Sequence, residues 1–179
     1  MPLLLTLSLL LASCQIRADA IADARAAQTA AAAGDFDRAE RLYSRAITSG
    51  EFDAGNLAVA YYNRGLARQR QNDFYRAIED YSAALALNPG RLAALYNRAL
   101  AYAELGATGP ALEDLGVFLG YQPDTPQALL QRARLLADSG RPAAARQDLD
   151  RALELAPDDP QLWAASARLR GERGRVEQA

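Results

Sequence analysis

From Ala58 onward, small and large apolar residues return on a fixed 34-residue period with polar residues between them. Gly65, Ala99, Ala133 and Ala167 keep this spacing, and so do Ala77, Ala111 and Ala145. Tyr81, Leu115 and Leu149 form a third series, and Pro89, Pro123 and Pro157 a fourth. A period of this length predicts stacked helix-turn-helix units. Each unit is too small to bury its own apolar face, so neighbours must cover one another.

The series also assign positions within a unit. Gly65, Ala99 and Ala133 are small where the first helix of a unit (helix A) must approach the second (helix B) closely, and Ala39, Ala77, Ala111 and Ala145 do the same from helix B. Gly34, Asn72, Gly106 and Gly140 stand at one equivalent place between the two helices. Gly and Asn tolerate the left-handed conformation that closes a helix. Pro110 and Pro142 suit the first turn of helix B, and Pro89, Pro123 and Pro157 end it. Tyr43, Tyr81, Leu115 and Leu149 fill the space between units.

Three units in one register, 58–91, 92–125 and 126–159, resemble tetratricopeptide repeats (TPRs). A first repeat over 20–57 is offset by 38 residues, so a short insertion around Ser49–Asn56 lengthens that joint. Its core side is almost all alanine, which makes it the weakest by buried area. Residues 160–171, with Trp163 and Ala167 at the large and small helix A positions, read as a capping helix, and 172–179 as a flexible polar tail. In the third repeat, bulky Phe118 replaces the small residue found at Ala84 and Ala152, with Gly116 and Gly120 nearby; the glycines are expected to open space for it, the alternative being a flexible joint.

The resemblance implies an all-α fold, a right-handed α-solenoid whose A helices line a concave groove for a partner's peptide. Carried over residue by residue, the groove positions are Arg25, Asn63, Asn97 and Gln131. Beside them stand Tyr62, Tyr96 and Leu130, and next along the face Gln28, Leu66, Leu100 and Arg134. An Asn amide can bond a peptide backbone whatever its sequence, and Tyr offers a broad face with a polar tip. The chaperone-type carboxylate clamp of some TPR domains is not expected. Val59, Ala93 and Gln127 stand where it needs cations.

Composition narrows the chemistry further. Half the chain is apolar, the net charge is −2, and all 20 basic residues are arginine. That balance gives no large field for nucleic acid. There is no histidine, which removes the commonest general base and metal ligand. Gly106-Ala107-Thr108-Gly109 lacks the Lys of a phosphate-binding loop. The carboxylate pairs Glu79-Asp80 and Glu113-Asp114 fall on B helices, where they are expected to face solvent, and Asp158-Asp159 lies in a turn. No catalytic, cofactor or metal site is expected.

Residues 1–13 form an apolar run too short to span a bilayer and fit a signal peptide. The run ends in Leu11-Ala12-Ser13-Cys14, which resembles a bacterial lipobox, although the usual cation before it is missing. The resemblance implies cleavage before Cys14, lipid on its thiol, a short linker over 14–19 and, with Gln15 following, the outer membrane. The expectation is therefore a lipid-anchored, periplasm-facing TPR adaptor for other proteins or peptides. The alternatives are a soluble adaptor with an uncleaved N-terminal segment, or a noncatalytic subunit of an envelope enzyme or of a secretion or pilus assembly complex. The oligomeric state is left open.

Overall fold

The computed structural model describes residues 19–176, with side chains over 19–169. The predicted signal segment and Cys14 lie outside the described residues, as do residues 177–179. Among the described residues the regular structure is helical: α1 (19–32), α2 (Phe36–Thr48), α3 (Ala54–Arg70), α4 (Phe74–Leu87), α5 (Leu92–Glu104), α6 (Thr108–Tyr121), α7 (Pro126–Asp138), α8 (Pro142–Leu155) and α9 (Pro160–Val176). The chain forms two compact units, one ending at Asn97 and the other beginning at Arg98, both within α5.

Each A-to-B turn closes the same way. Gly34, Asn72, Gly106 and Gly140 have φ of 80°, 62°, 70° and 75°. The residue after each one donates its N–H back to the helix, as in Asp73 N to Arg68 O at 2.9 Å and Arg141 N to Leu136 O at 2.8 Å. This satisfies carbonyls that a helix end would otherwise leave unpaired. The B helices α4, α6 and α8 stop two residues before Pro89, Pro123 and Pro157.

The four-residue offset of the first repeat is absorbed as helix rather than loop. Helix α3 has 17 residues where α5 and α7 have 13 each. The extra turn fits because one α-helical turn takes about 3.6 residues. Asp53 caps it, accepting from Asn56 N at 2.7 Å.

The small positions work as the sequence implies. A Cβ built on Gly65 would lie 2.8 Å from Tyr81 Cε1 and 3.2 Å from Asp80 Cβ. Tyr81 and Leu115 are fully buried and Leu149 nearly so. Ala27, Ala30, Ala39 and Ala67 build the core of the first repeat around Tyr43.

Three expectations are corrected. First, Asp80 and Asp114 do not face solvent, and neither does Asp148 at the equivalent place in α8. Asp80, Asp114 and Asp148 are 2%, 6% and 7% exposed, and only their neighbours Glu79 and Glu113 are exposed. Each Asp accepts a two-pronged bond from the A-helix arginine sixteen residues earlier. Arg64 reaches Asp80 at 2.9 and 2.7 Å, Arg98 reaches Asp114 at 2.7 and 2.8 Å, and Arg132 reaches Asp148 at 2.7 and 2.6 Å. A buried carboxylate is tolerated because the planar guanidinium matches it twice over.

Second, Gly116 and Gly120 make no room for Phe118. Phe118 is 6% exposed, but a Cβ on either glycine would meet nothing within 4 Å. Gly116→Ala is therefore expected to stabilise α6 by up to about 1 kcal/mol, as a gain in helix propensity without a clash. A raised melting temperature checks this.

Third, α9 does not bury Trp163 and Ala167. Trp163 is 52% exposed, with Nε1 donating to Pro157 O at 2.7 Å, and Ala167 is exposed. The buried positions are Leu162, Ser166 and Leu169. Positions 129 and 133 of α7 correspond to 163 and 167, and they are buried in a helix pair with α8. Among the described residues no B helix follows α9, so that side stays uncovered. Helix α9 also continues through Val176, past residue 172 where the tail was expected to begin.

Candidate functional site

Two of the clefts among the described residues open on A-helix faces, one in each unit. The first, about 240 Å³, lies between α1 and α3 and is lined by Arg25, Gln28, Tyr43, Phe52, Val59 and Asn63 among others. The second, about 450 Å³, lies among α7, α8 and α9. Ala133, Ala137, Leu149, Ala164 and Leu169 form its apolar floor, and Arg134, Asp138, Gln161 and Arg168 are also in its wall. Of the predicted groove residues, Arg25, Gln28 and Asn63 meet in the first cleft and Arg134 stands in the second. Arg25, Gln28 and Arg134 are exposed. Tyr62, Leu66, Tyr96, Asn97, Leu100 and Gln131 are half-buried.

Leu130 departs from expectation. It is 3% exposed and belongs to the core. Helix α9 packs on α7, and an apolar leucine at a position where the earlier repeats carry Tyr62 and Tyr96 has no polar tip to keep it at the surface.

The Tyr and Asn positions are partly engaged with each other. Asn97 Nδ2 donates to the Tyr62 hydroxyl at 3.1 Å, and the Tyr43 hydroxyl is hydrogen-bonded to the Asn63 side chain. Each amide has two donors and an acceptor, so each keeps capacity for a ligand while its orientation is set from within the fold. Burial raises the phenol pKa of Tyr43, Tyr62 and Tyr96; at Tyr62 the Arg91 charge and the Asn97 bond oppose the rise. The Tyr62 ring lies 6.0 Å from Tyr81 and 5.1 Å from the Arg91 guanidinium.

Sequence reasoning missed Arg91, Gln161 and Arg168. The last two were legible, because they fall 34 residues after Gln127 and Arg134. Arg91 had no such signal. It sits in the turn before α5, and the residues 34 positions to either side are Leu57 and Thr125. Among the described residues, no group of three or more His, Cys, Asp and Glu could hold a metal ion, and no helix is long and apolar enough to cross a membrane.

Two tetratricopeptide repeat family models match the chain, over residues 58–91 and 126–169. None of the curated proteins matches the sequence. A tetratricopeptide repeat protein from Parabacteroides merdae ATCC 43184 is similar at 26% identity and a TM-score of 0.80, over 91% of this chain. This chain spans 62% of that protein's length. MamA from Desulfovibrio magneticus RS-1, residues 41 to the end, has a TM-score of 0.82 at 16% identity, over 89% of this chain and 88% of its own. YrrB, described as a TPR protein with an unusual peptide-binding site, has a TM-score of 0.75 at 18% identity, over 83% of this chain and 74% of its own. At those identities the last two share the fold alone. With the repeat matches and the helix pairs they fall on, the chain is a tetratricopeptide repeat protein.

Proposed function

We propose that this protein is a lipid-anchored, periplasm-facing adaptor that holds partner proteins on its A-helix faces without catalysing a reaction on them. TPR repeats imply a protein-interaction scaffold. The observation that carries the groove reading is the pair of clefts, each combining exposed polar side chains with apolar lining. Grooves with apolar lining take extended or helical segments of other proteins. An anchor adds to this by concentrating the adaptor and its partners at one surface.

The groove is tested on α5. Tyr96 and Leu100 are half-buried groove positions one helical turn apart. Truncating such anchors often costs about 2 kcal/mol or more. Tyr96→Ala with Leu100→Ala is expected to weaken a partner purified from detergent-solubilised envelope at least tenfold, on the scale of about 1.4 kcal/mol per factor of ten. A folded double variant with unchanged affinity sinks the groove reading. Tyr62 is the poorer choice, since its ring packs against Tyr81 and Arg91 and truncation there would disturb the core.

The anchor is tested at Cys14, the last residue of Leu11-Ala12-Ser13-Cys14 and the only cysteine. Acyl chains contribute about 0.8 kcal/mol per buried CH₂, so two or more hold a protein firmly to a bilayer. Cys14→Ser is expected to leave unprocessed precursor or release the protein from membranes. A variant that reaches mature size and still carries lipid rules the anchor out.

A further inference from the structure

The cleft of about 450 Å³ in the second unit falls where the groove pattern loses its bulk. Two adjoining groove positions carry Tyr62-Asn63, Tyr96-Asn97 and Leu130-Gln131 in turn, and in α9 they carry Ala164-Ala165. At the earlier places the larger side chain is drawn into the protein. Leu130 is 3% exposed and Tyr96 is half-buried. Helix α9 packs on α7 and α8 as an A helix should, but it brings no such side chain. Ala164 and Ala165 line the gap with Ala133 and Ala137 of α7, over Leu149 and Leu169. A volume of this size lies within the range of about 300 to 1,000 Å³ found for ligand pockets. Apolar walls with nothing between them forgo the dispersion contacts of a packed interior and stay in contact with water. An apolar group that enters therefore gains on both counts.

The wall adds a charge. Arg134 is exposed and lines the cleft, at a position where α3 and α5 carry Leu66 and Leu100. Among the described residues its guanidinium makes no hydrogen bond or ion pair. Asp138, one turn further along α7, lies instead 3.8 Å from Arg168. A planar guanidinium at the mouth of an apolar cleft is complementary to a carboxylate carried beside an apolar side chain.

We propose that the cleft among α7, α8 and α9 receives one large apolar side chain, aromatic or leucine, from a partner's peptide segment, and that Arg134 takes a carboxylate of the same segment. The partner supplies the bulk that Leu130 and Tyr96 supply from within the chain. The inference rests on the groove reading above and adds which part of the groove selects the partner and by what side chain. All the residues it uses for binding lie in the second unit.

The test fills the cleft from inside. Ala164→Leu with Ala165→Gln restores the pair that α7 carries. Ala164 is exposed and Ala165 half-buried, and Leu and Gln are strong helix formers, so this variant is expected to fold. Circular dichroism and melting check that it does. A random-peptide display library is panned against the full chain purified in detergent. The expected result is a set of peptides sharing one Leu, Phe, Tyr or Trp with an Asp or Glu close by in sequence. Their affinity should fall about tenfold or more in the filled variant, and equally when the shared apolar residue of the peptide is changed to Ala. The second change leaves this protein untouched, so it decides the point even where the filled variant is unstable. Arg134→Gln should weaken the same peptides several-fold and remove most of their salt dependence.

Peptides that bind the folded, filled variant as tightly as wild type overturn the proposal. If those peptides lose binding to the Tyr96→Ala, Leu100→Ala variant, the groove reading stands without it. Peptides lost on filling but indifferent to Arg134→Gln support the apolar pocket and overturn its carboxylate partner. If no peptide is recovered above background, the groove reading fails and this inference falls with it.

Discussion

Asp80→Ala is expected to be the most damaging single truncation of a polar side chain in the first unit. Asp80 accepts from Arg64 at 2.9 and 2.7 Å and from Arg68 Nη1 at 2.9 Å. Those two arginine side chains are only 13% and 11% exposed. Through Arg64 to Ser44 and through Arg68 to Glu40, the same network reaches α2. Removing the carboxylate leaves Arg64 without a carboxylate partner among the described residues, and Arg68 with Glu40, which Arg76 also shares. Breaking a buried pair from one side costs about 3 to 5 kcal/mol, a large part of an ordinary domain's stability. The other clamps should rank below it, because each carboxylate serves one arginine that is better hydrated, Arg98 at 21% and Arg132 at 28%. The expected order of destabilisation is Asp80→Ala, then Asp114→Ala, then Asp148→Ala, read by chemical unfolding monitored through helical content. An equal loss at all three, or a loss at Asp80 within about 0.5 kcal/mol of wild type, the range of an ordinary surface substitution, contradicts the buried-network account.

Gly65→Ala is expected to destabilise the protein although alanine is the better helix former. The new Cβ would sit 2.8 Å from one carbon of the Tyr81 ring and 3.0 Å from another. Tyr81 is fully buried, and its hydroxyl donates to Gln69 Oε1 at 2.5 Å, so the ring has little freedom to retreat. Overpacking of this kind costs about 1 to 3 kcal/mol, more than the roughly 1 kcal/mol that replacing glycine gains in a helix. The equivalent pairs in the next repeats state the remedy: Ala99 accompanies Leu115 and Ala133 accompanies Leu149. Tyr81→Leu should therefore rescue Gly65→Ala, so that the double variant is more stable than the sum of the single effects by about 1 kcal/mol or more, within the coupling expected of residues in contact. Strict additivity would show that the ring is not what excludes a side chain at 65.

Much of this architecture was legible before any packing was known, and the reason is local. The left-handed turns at Gly34, Asn72, Gly106 and Gly140, the prolines beyond each B helix and the small-large alternation of Gly65 with Tyr81 are constraints on one or two residues. They show in the sequence because few residue types meet them. The groove was legible only in part. Arg25, Gln28, Asn63 and Arg134 do line clefts, while Leu130 is in the core and Arg91 reaches Tyr62 from a turn outside the A-helix series.

Sequence alone determined the period, the helix-turn-helix units and the places where backbone or close approach admits only small residues. Tertiary structure decided what happens to the charges and the last helix. Arg64, Arg98 and Arg132 recur with the same period as Asp80, Asp114 and Asp148. On a single helix such aspartates look like a solvated face, because residues sixteen apart become neighbours only when helix B folds back on helix A. Trp163 and Ala167 continue the helix A pattern, yet they stay exposed, since burial of that face is supplied by the partner helix and not by the residues that form it.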